Sequence, residues 1–146
     1  MIPNDVVSYL ESVEDAHTKW ARDHAGDTAK SLSEIGIAPD STIAELYTRF
    51  GWSFRTRSAR YELLAPSEIA EWTGYAHDEL GVPRDFIALT SNEGQGIFLM
   101  DRNSGTVYDV AYGQFDSLEN GTLPPVAESF ADFLVWYVGD EQRSGT

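Results

Sequence analysis

Between Pro3 and about Ala25 the apolar positions Val6, Tyr9, Leu10 and Val13, continued by His17 and Trp20, fall at steps of three and four residues. That spacing places them on one stripe of an α-helix. Pro3-Asn4-Asp5 supplies a start and Gly26-Asp27 a stop, so the pattern predicts a single amphipathic helix within residues 1–30. Asp27 to Ser33 then reads as a polar connection. Asp40, Ser41 or Thr42 caps a second helix whose buried side is Ile43, Leu46, Tyr47 and Phe50, and Gly51 stops it. Trp52-Ser53-Phe54 and Tyr61-Glu62-Leu63-Leu64 read as two short strands around the turn-like segment Arg55 to Arg60.

Pro66-Ser67-Glu68-Ile69 opens a third helix, with Ile69, Trp72, Tyr75 or Ala76, and Leu80 facing inward, and Gly81-Val82-Pro83 breaks it. Phe86-Ile87-Ala88-Leu89 is the next strand. Gly94 to Asp101 and Thr106 to Val110, joined by Asp101-Arg102-Asn103-Ser104-Gly105, form a β-hairpin. An irregular stretch from Ala111 to Pro125 leads to a last helix from about Val126 to Val138. Short strands in the middle, with helices before and after, predict a single α+β domain: a central, mainly antiparallel sheet with helices packed around it.

Charge narrows the partners. The formal net charge is −14. Residues 1–60 hold seven basic groups against nine acidic, a balance of −2, whereas residues 61–146 hold three against fifteen, a balance of −12. Such a field repels phosphate backbones, which argues against direct contact with nucleic acid. It speeds encounter with a basic protein instead, although an acidic surface also serves solubility alone. The chain contains no cysteine, which excludes disulfides and thiolate chemistry. Neither a basic N-terminal region followed by an apolar core nor a membrane-length apolar run is present, so a soluble cytoplasmic protein is expected.

The candidate catalytic groups are few. His17 and His24 are seven residues apart, about 10 Å along a helix and too far to share one ion, and His77 has only Leu80 and Gly81 at helical spacing. No metal and no cofactor are expected. Gly94-Gln95-Gly96 leads into a strand where a dinucleotide loop requires a helix, so it reads as a place of close backbone approach. Serine occurs in no Gly-x-Ser-x-Gly elbow. Asp101 and Asp109 flank one hairpin and would suit a general acid–base pair, yet aspartate is also favoured at hairpin ends for conformational reasons. The arginines from Arg49 to Arg60 read as a solvated turn or as partners of the acidic half.

In order and spacing the landmarks resemble the SUKH superfamily of Smi/Knr-like proteins over residues 35–138. The resemblance is carried by Ile37-Ala38-Pro39-Asp40 through Gly51, by Tyr61 to Ile69, by Phe86 to Leu89, by Gly94 to Asp101, by Gly105-Thr106-Val107-Tyr108 and by Ser129 to Leu134. The family often carries Asn-Gly-Gly after the early helix, where this chain has Gly51-Trp52, and residues 1–30 lie outside its usual core. The resemblance implies a non-enzymatic binding domain, in bacteria commonly an immunity protein that neutralises a cognate toxin, often a nuclease. It also admits a regulatory or scaffold domain without a toxin. A partner face is expected on the sheet and its loops, with Glu93, Asp101, Asp109, Asp116 and Glu119 giving charge and Trp52 and Tyr108 giving apolar contact.

Overall fold

A computed structural model describes residues 1–51, 63–91 and 96–144, with side chains to residue 138. The predicted strand Trp52 to Phe54, the Arg55 to Arg60 turn, and Tyr61 and Glu62 lie outside these residues; Leu63 and Leu64, the other half of the predicted Tyr61 to Leu64 strand, are buried but belong to no strand, and the Leu64 amide bonds the carbonyl of Leu89 at 3.0 Å. Seven helices are described: α1 (Asn4–Ser12), α2 (Ala16–Asp23), α3 (Ala25–Glu34), α4 (Thr42–Arg49), α5 (Pro66–Glu79), α6 (Phe115–Glu119) and α7 (Phe130–Ser144). Three antiparallel strands, β1 (Phe86–Ala88), β2 (Gly96–Asp101) and β3 (Val107–Ala111), form a sheet in that order. The fold is α+β, as the pattern predicts.

The predicted N-terminal helix is two helices, α1 and α2, and its expected stop, Gly26-Asp27, lies inside α3. Asp15 interrupts the periodicity by leaving helical geometry (φ −145°, ψ −168°) and accepting from the amides of His17 and Thr18, while Thr18 Oγ1 accepts from the amide of Asp15. This reciprocal cap starts a new helix where the stripe runs on in sequence. Val6 and Leu10 remain buried, but Val13 is 43% and Trp20 46% exposed, so the apolar stripe does not survive the break. Asp27 to Ser33 belongs to α3, which buries Thr28 and Leu32 one turn apart; two inward residues were too few to show a period.

Helix α4 follows its punctuation. Ser41 Oγ accepts from the Ala44 amide, and Phe50 and Gly51 close the helix on the carbonyl of Leu46. Tyr47 is fully buried, and its hydroxyl donates to the carbonyl of Leu64 at 2.8 Å. Burial pushes its pKa well above the ordinary tyrosine range, because an uncompensated phenolate there is costly. Folding therefore favours the protonated phenol, and the stability this carries is complete below about pH 10 and falls as pH rises past the unfolded value. Tyr47→Phe is expected to lose about 1–3 kcal/mol at neutral pH by stranding the Leu64 carbonyl. The deficit should narrow above about pH 10, as urea melts across pH would record. A constant deficit from pH 7 to 11 would remove the titration argument.

Strand β2 is the centre. Gly96 to Met100 are all buried, since β2 has a neighbour on each side and helices over the sheet. Phe98 meets Phe133 and Trp136 of α7 at centroid distances of 5.8 and 6.1 Å, which assigns α7 to that face. The expected close approach is found at Gly96, where a Cβ would lie 2.8 Å from the carbonyl oxygen of Val110. The last helix begins at Phe130 and not at Val126, because Val126 and Ala127 extend along β3: both amides bond the carbonyl of Val107, and the Val107 amide bonds that of Ala127. Serine 129 accepts from the Asp132 amide at the start of α7. The stretch from Ala111 to Pro125 contains α6, which buries Leu118 and is too short to show a period.

Candidate functional site

The hairpin distributes its predicted residues rather than gathering them. Asp109 lies opposite Phe98, whereas Asp101 stands three residues further along β2, opposite Phe86 of β1. Because side chains alternate across a strand, an offset of three puts the two carboxylates on opposite faces, roughly 10 Å apart along the strand. An acid–base pair between them is therefore not formed. Asp101 Oδ1 accepts from the Asn103 amide at 2.9 Å, the turn-forming role that aspartate takes at such positions.

Tyr108 lies opposite Leu99 and so shares the face of Asp101. It is half-buried, with its ring edge-on to Phe86 at 5.7 Å, so part of it serves the core. Asp116 and Glu119 are exposed on α6, which follows β3 at the end remote from the hairpin turn. Trp52 and Glu93 lie outside the described residues.

The remaining candidate features are a cavity and an aromatic stack. A cavity of about 290 Å³ opens between the start of α4, the start of α7 and the β2–β3 turn, lined by Ser41, Thr42, Met100, Arg102, Asn103 and Phe130 among others. Its cation, Arg102, donates to the carbonyl of Arg84 at 2.9 Å and of Ile35 at 3.5 Å, which fixes the turn against the rest of the domain. On α2, Trp20 stacks between His17 at 6.0 Å and His24 at 4.3 Å. Among the described residues no group of three or more His, Asp or Glu comes together to hold a metal ion.

Charged side chains are used differently in the two halves. Arg22 pairs with Glu14, and Arg49 reaches Glu45 at 3.5 Å and Glu11 at 3.6 Å while lying over the Phe50 ring. Of the arginines from Arg49 to Arg60, Arg49 is the one within the described residues, and these carboxylates belong to its own half. In the second half Arg84 meets Asp78 at 4.0 Å, with both side chains largely exposed, which contributes little.

The sequence pattern overlooked a second acidic surface. Glu68, Glu71, Asp78 and Glu79 recur along α5 at helical spacing, and reading that helix for its apolar side alone passed over them. No family model, curated protein or solved structure matches the chain. Among the described residues no helix is long and apolar enough to cross a membrane.

Proposed function

We propose that this chain is a non-enzymatic binding protein, a SUKH-like bacterial immunity protein that neutralises a cognate toxin with a basic surface, such as a nuclease, by direct binding in the cytoplasm. The observation that carries the reading is the weakly compensated acidity of the second half. Fifteen acidic groups stand there against three arginines; Arg102 is bound to backbone carbonyls, and Arg84 makes only a long, exposed contact. A surface of one sign disfavours nucleic acid and membranes of acidic lipid, and it accelerates association with a cationic protein. The dispersal of the hairpin carboxylates over two faces also favours binding over acid–base catalysis. The order of landmarks from Ile37 to Leu134 gives the reading its family.

The test begins with the tagged chain used to capture proteins from its own cell at low salt. A captured basic protein is then expressed in a neutral host, alone and together with this chain. Growth arrest by that protein alone, relieved by coexpression and paired with affinity that falls steeply with salt, is the expected result. Capture of no toxic protein, or arrest that coexpression leaves untouched, would overturn the immunity reading.

A further inference from the structure

Helix α5 is anchored along one side. Ile69 and Ala76 are buried, Thr73 Oγ1 accepts from the Ala88 amide at 2.9 Å, and His77 Nε2 lies 2.8 Å from the carbonyl oxygen of Phe86. At 100° per residue, Glu71, Tyr75, Asp78 and Glu79 fall within an arc of about 100° that looks away from those anchors, and Trp72, packed in part against the core, borders it. The three residues from Glu71 to Glu79 that matter most, Glu71, Tyr75 and Glu79, are exposed at successive turns and span about 12 Å. Tyr75 is 40% exposed, and its ring stands edge-on to the half-buried Trp72 at 5.5 Å.

Two further observations give this face a direction. Asp78 and Glu79 sit in the last turn of α5, where negative charge opposes the helix dipole, and the basic residue of that turn, His77, is turned to Phe86. Glu79 is therefore placed against the interest of the helix, and Asp78 is offset only by its long, exposed contact with Arg84 at 4.0 Å. These carboxylates also flank two aromatic rings, and a guanidinium or ammonium group is attracted both to a ring face and to a nearby carboxylate. The hairpin lacks this convergence, since its carboxylates are divided between faces and Asp101 is occupied by its turn.

We infer that the outward face of α5 is the docking surface for a cationic protein segment, with Tyr75, backed by the exposed part of Trp72, receiving an arginine or lysine side chain and Glu71, Asp78 and Glu79 surrounding it. This rests on the reading of a basic protein partner and names the face that partner uses. An isolated acidic patch would attract any cation equally; the ring pair adds a preference for arginine, which stacks as well as pairs.

The test uses octa-arginine as probe at low salt, with calorimetry for affinity and backbone amide shifts for location. Two variants of equal charge are compared, Glu71→Lys with Glu79→Lys on α5, and Asp116→Lys with Glu119→Lys on α6. The α5 pair is expected to weaken binding at least tenfold and the α6 pair about twofold. Tyr75→Ala, which leaves charge unchanged, should weaken it about threefold, and Tyr75→Phe should restore it. Because it relieves the dipole conflict, Glu79→Lys should raise the Tm as it lowers affinity. Equal losses in the two charge-matched pairs, shifts centred away from α5, or no binding by the wild type would overturn the proposal. So would an α5 pair that protects cells from the captured toxin as well as wild type does, and that result would leave the immunity function standing. If octa-arginine maps to α5 while the captured protein proves harmless, the face stands and the toxin reading falls.

Discussion

Phe133→Ala is expected to lower unfolding stability by about 3–5 kcal/mol, measured by urea denaturation. Phe133 is fully buried, and its ring stands 5.8 Å from Phe98, 5.6 Å from Phe130, 5.9 Å from Trp136 and 5.5 Å from Tyr137. Removing it takes away apolar burial and leaves a cavity ringed by rigid aromatics that cannot easily collapse inward, so both parts of the cost apply. A domain of this size is stable by only about 5–15 kcal/mol, so this variant should be close to unfolding at 37 °C. Phe133→Leu keeps most of the volume and should cost less, providing a folded variant for comparison. Val135→Ala, on the same helix but 49% exposed, should change stability by about 0.5 kcal/mol or less. If Phe133→Ala and Val135→Ala proved similar, α7 would not be the clamp on the sheet described above.

Where a residue type dictates backbone geometry, the sequence was legible. Ser41 caps α4, Pro66 opens α5 and the two hairpin strands pair as expected, because hydroxyl caps, fixed-φ proline and a polar turn between two apolar runs each act locally. Where local and periodic signals competed, the local signal won. The Asp15–Thr18 cap divided a stripe that looked continuous, and α3 passed for a linker because its ten residues bury only Thr28 and Leu32. Val126 and Ala127 are apolar enough to have begun the last helix, yet their backbone groups were needed by Val107, a requirement that exists only once the sheet has formed.

The candidate site shows the same division. Its acidity is plain from composition, but the separation of Asp101 from Asp109 depends on register, which no count of residues supplies. The α5 face was in fact written in the sequence, as carboxylates and aromatics at three- and four-residue steps. It was hidden by the habit of reading an amphipathic helix from its buried side. A face on which Glu79 opposes the dipole of its own helix, and Asp78 has only the exposed Arg84 at 4.0 Å, makes sense if further positive charge arrives with the partner.

Gly51→Ala should cost about 2–5 kcal/mol, an effect larger than the removal of one hydrogen atom suggests. Gly51 adopts φ +84° just beyond α4, where a Cβ is penalised by roughly 1–2 kcal/mol. That Cβ would also lie 2.9 Å from His17 Nε2, 3.0 Å from His17 Cδ2 and 3.4 Å from the Cβ of Ala21, so it would press α2 away from the end of α4. Gly113 separates the two causes. Its φ is +92° and a Cβ there meets nothing within 4 Å, so Gly113→Ala should show the backbone cost alone, roughly 1–2 kcal/mol. A double-mutant cycle with His17→Ala supplies the remaining part, because trimming the ring should recover part of the Gly51→Ala loss through the shared contact. Equal costs at Gly51 and Gly113, with no coupling to His17, would mean that the α2–α4 contact yields freely and that the N-terminal helices are held by their apolar residues alone.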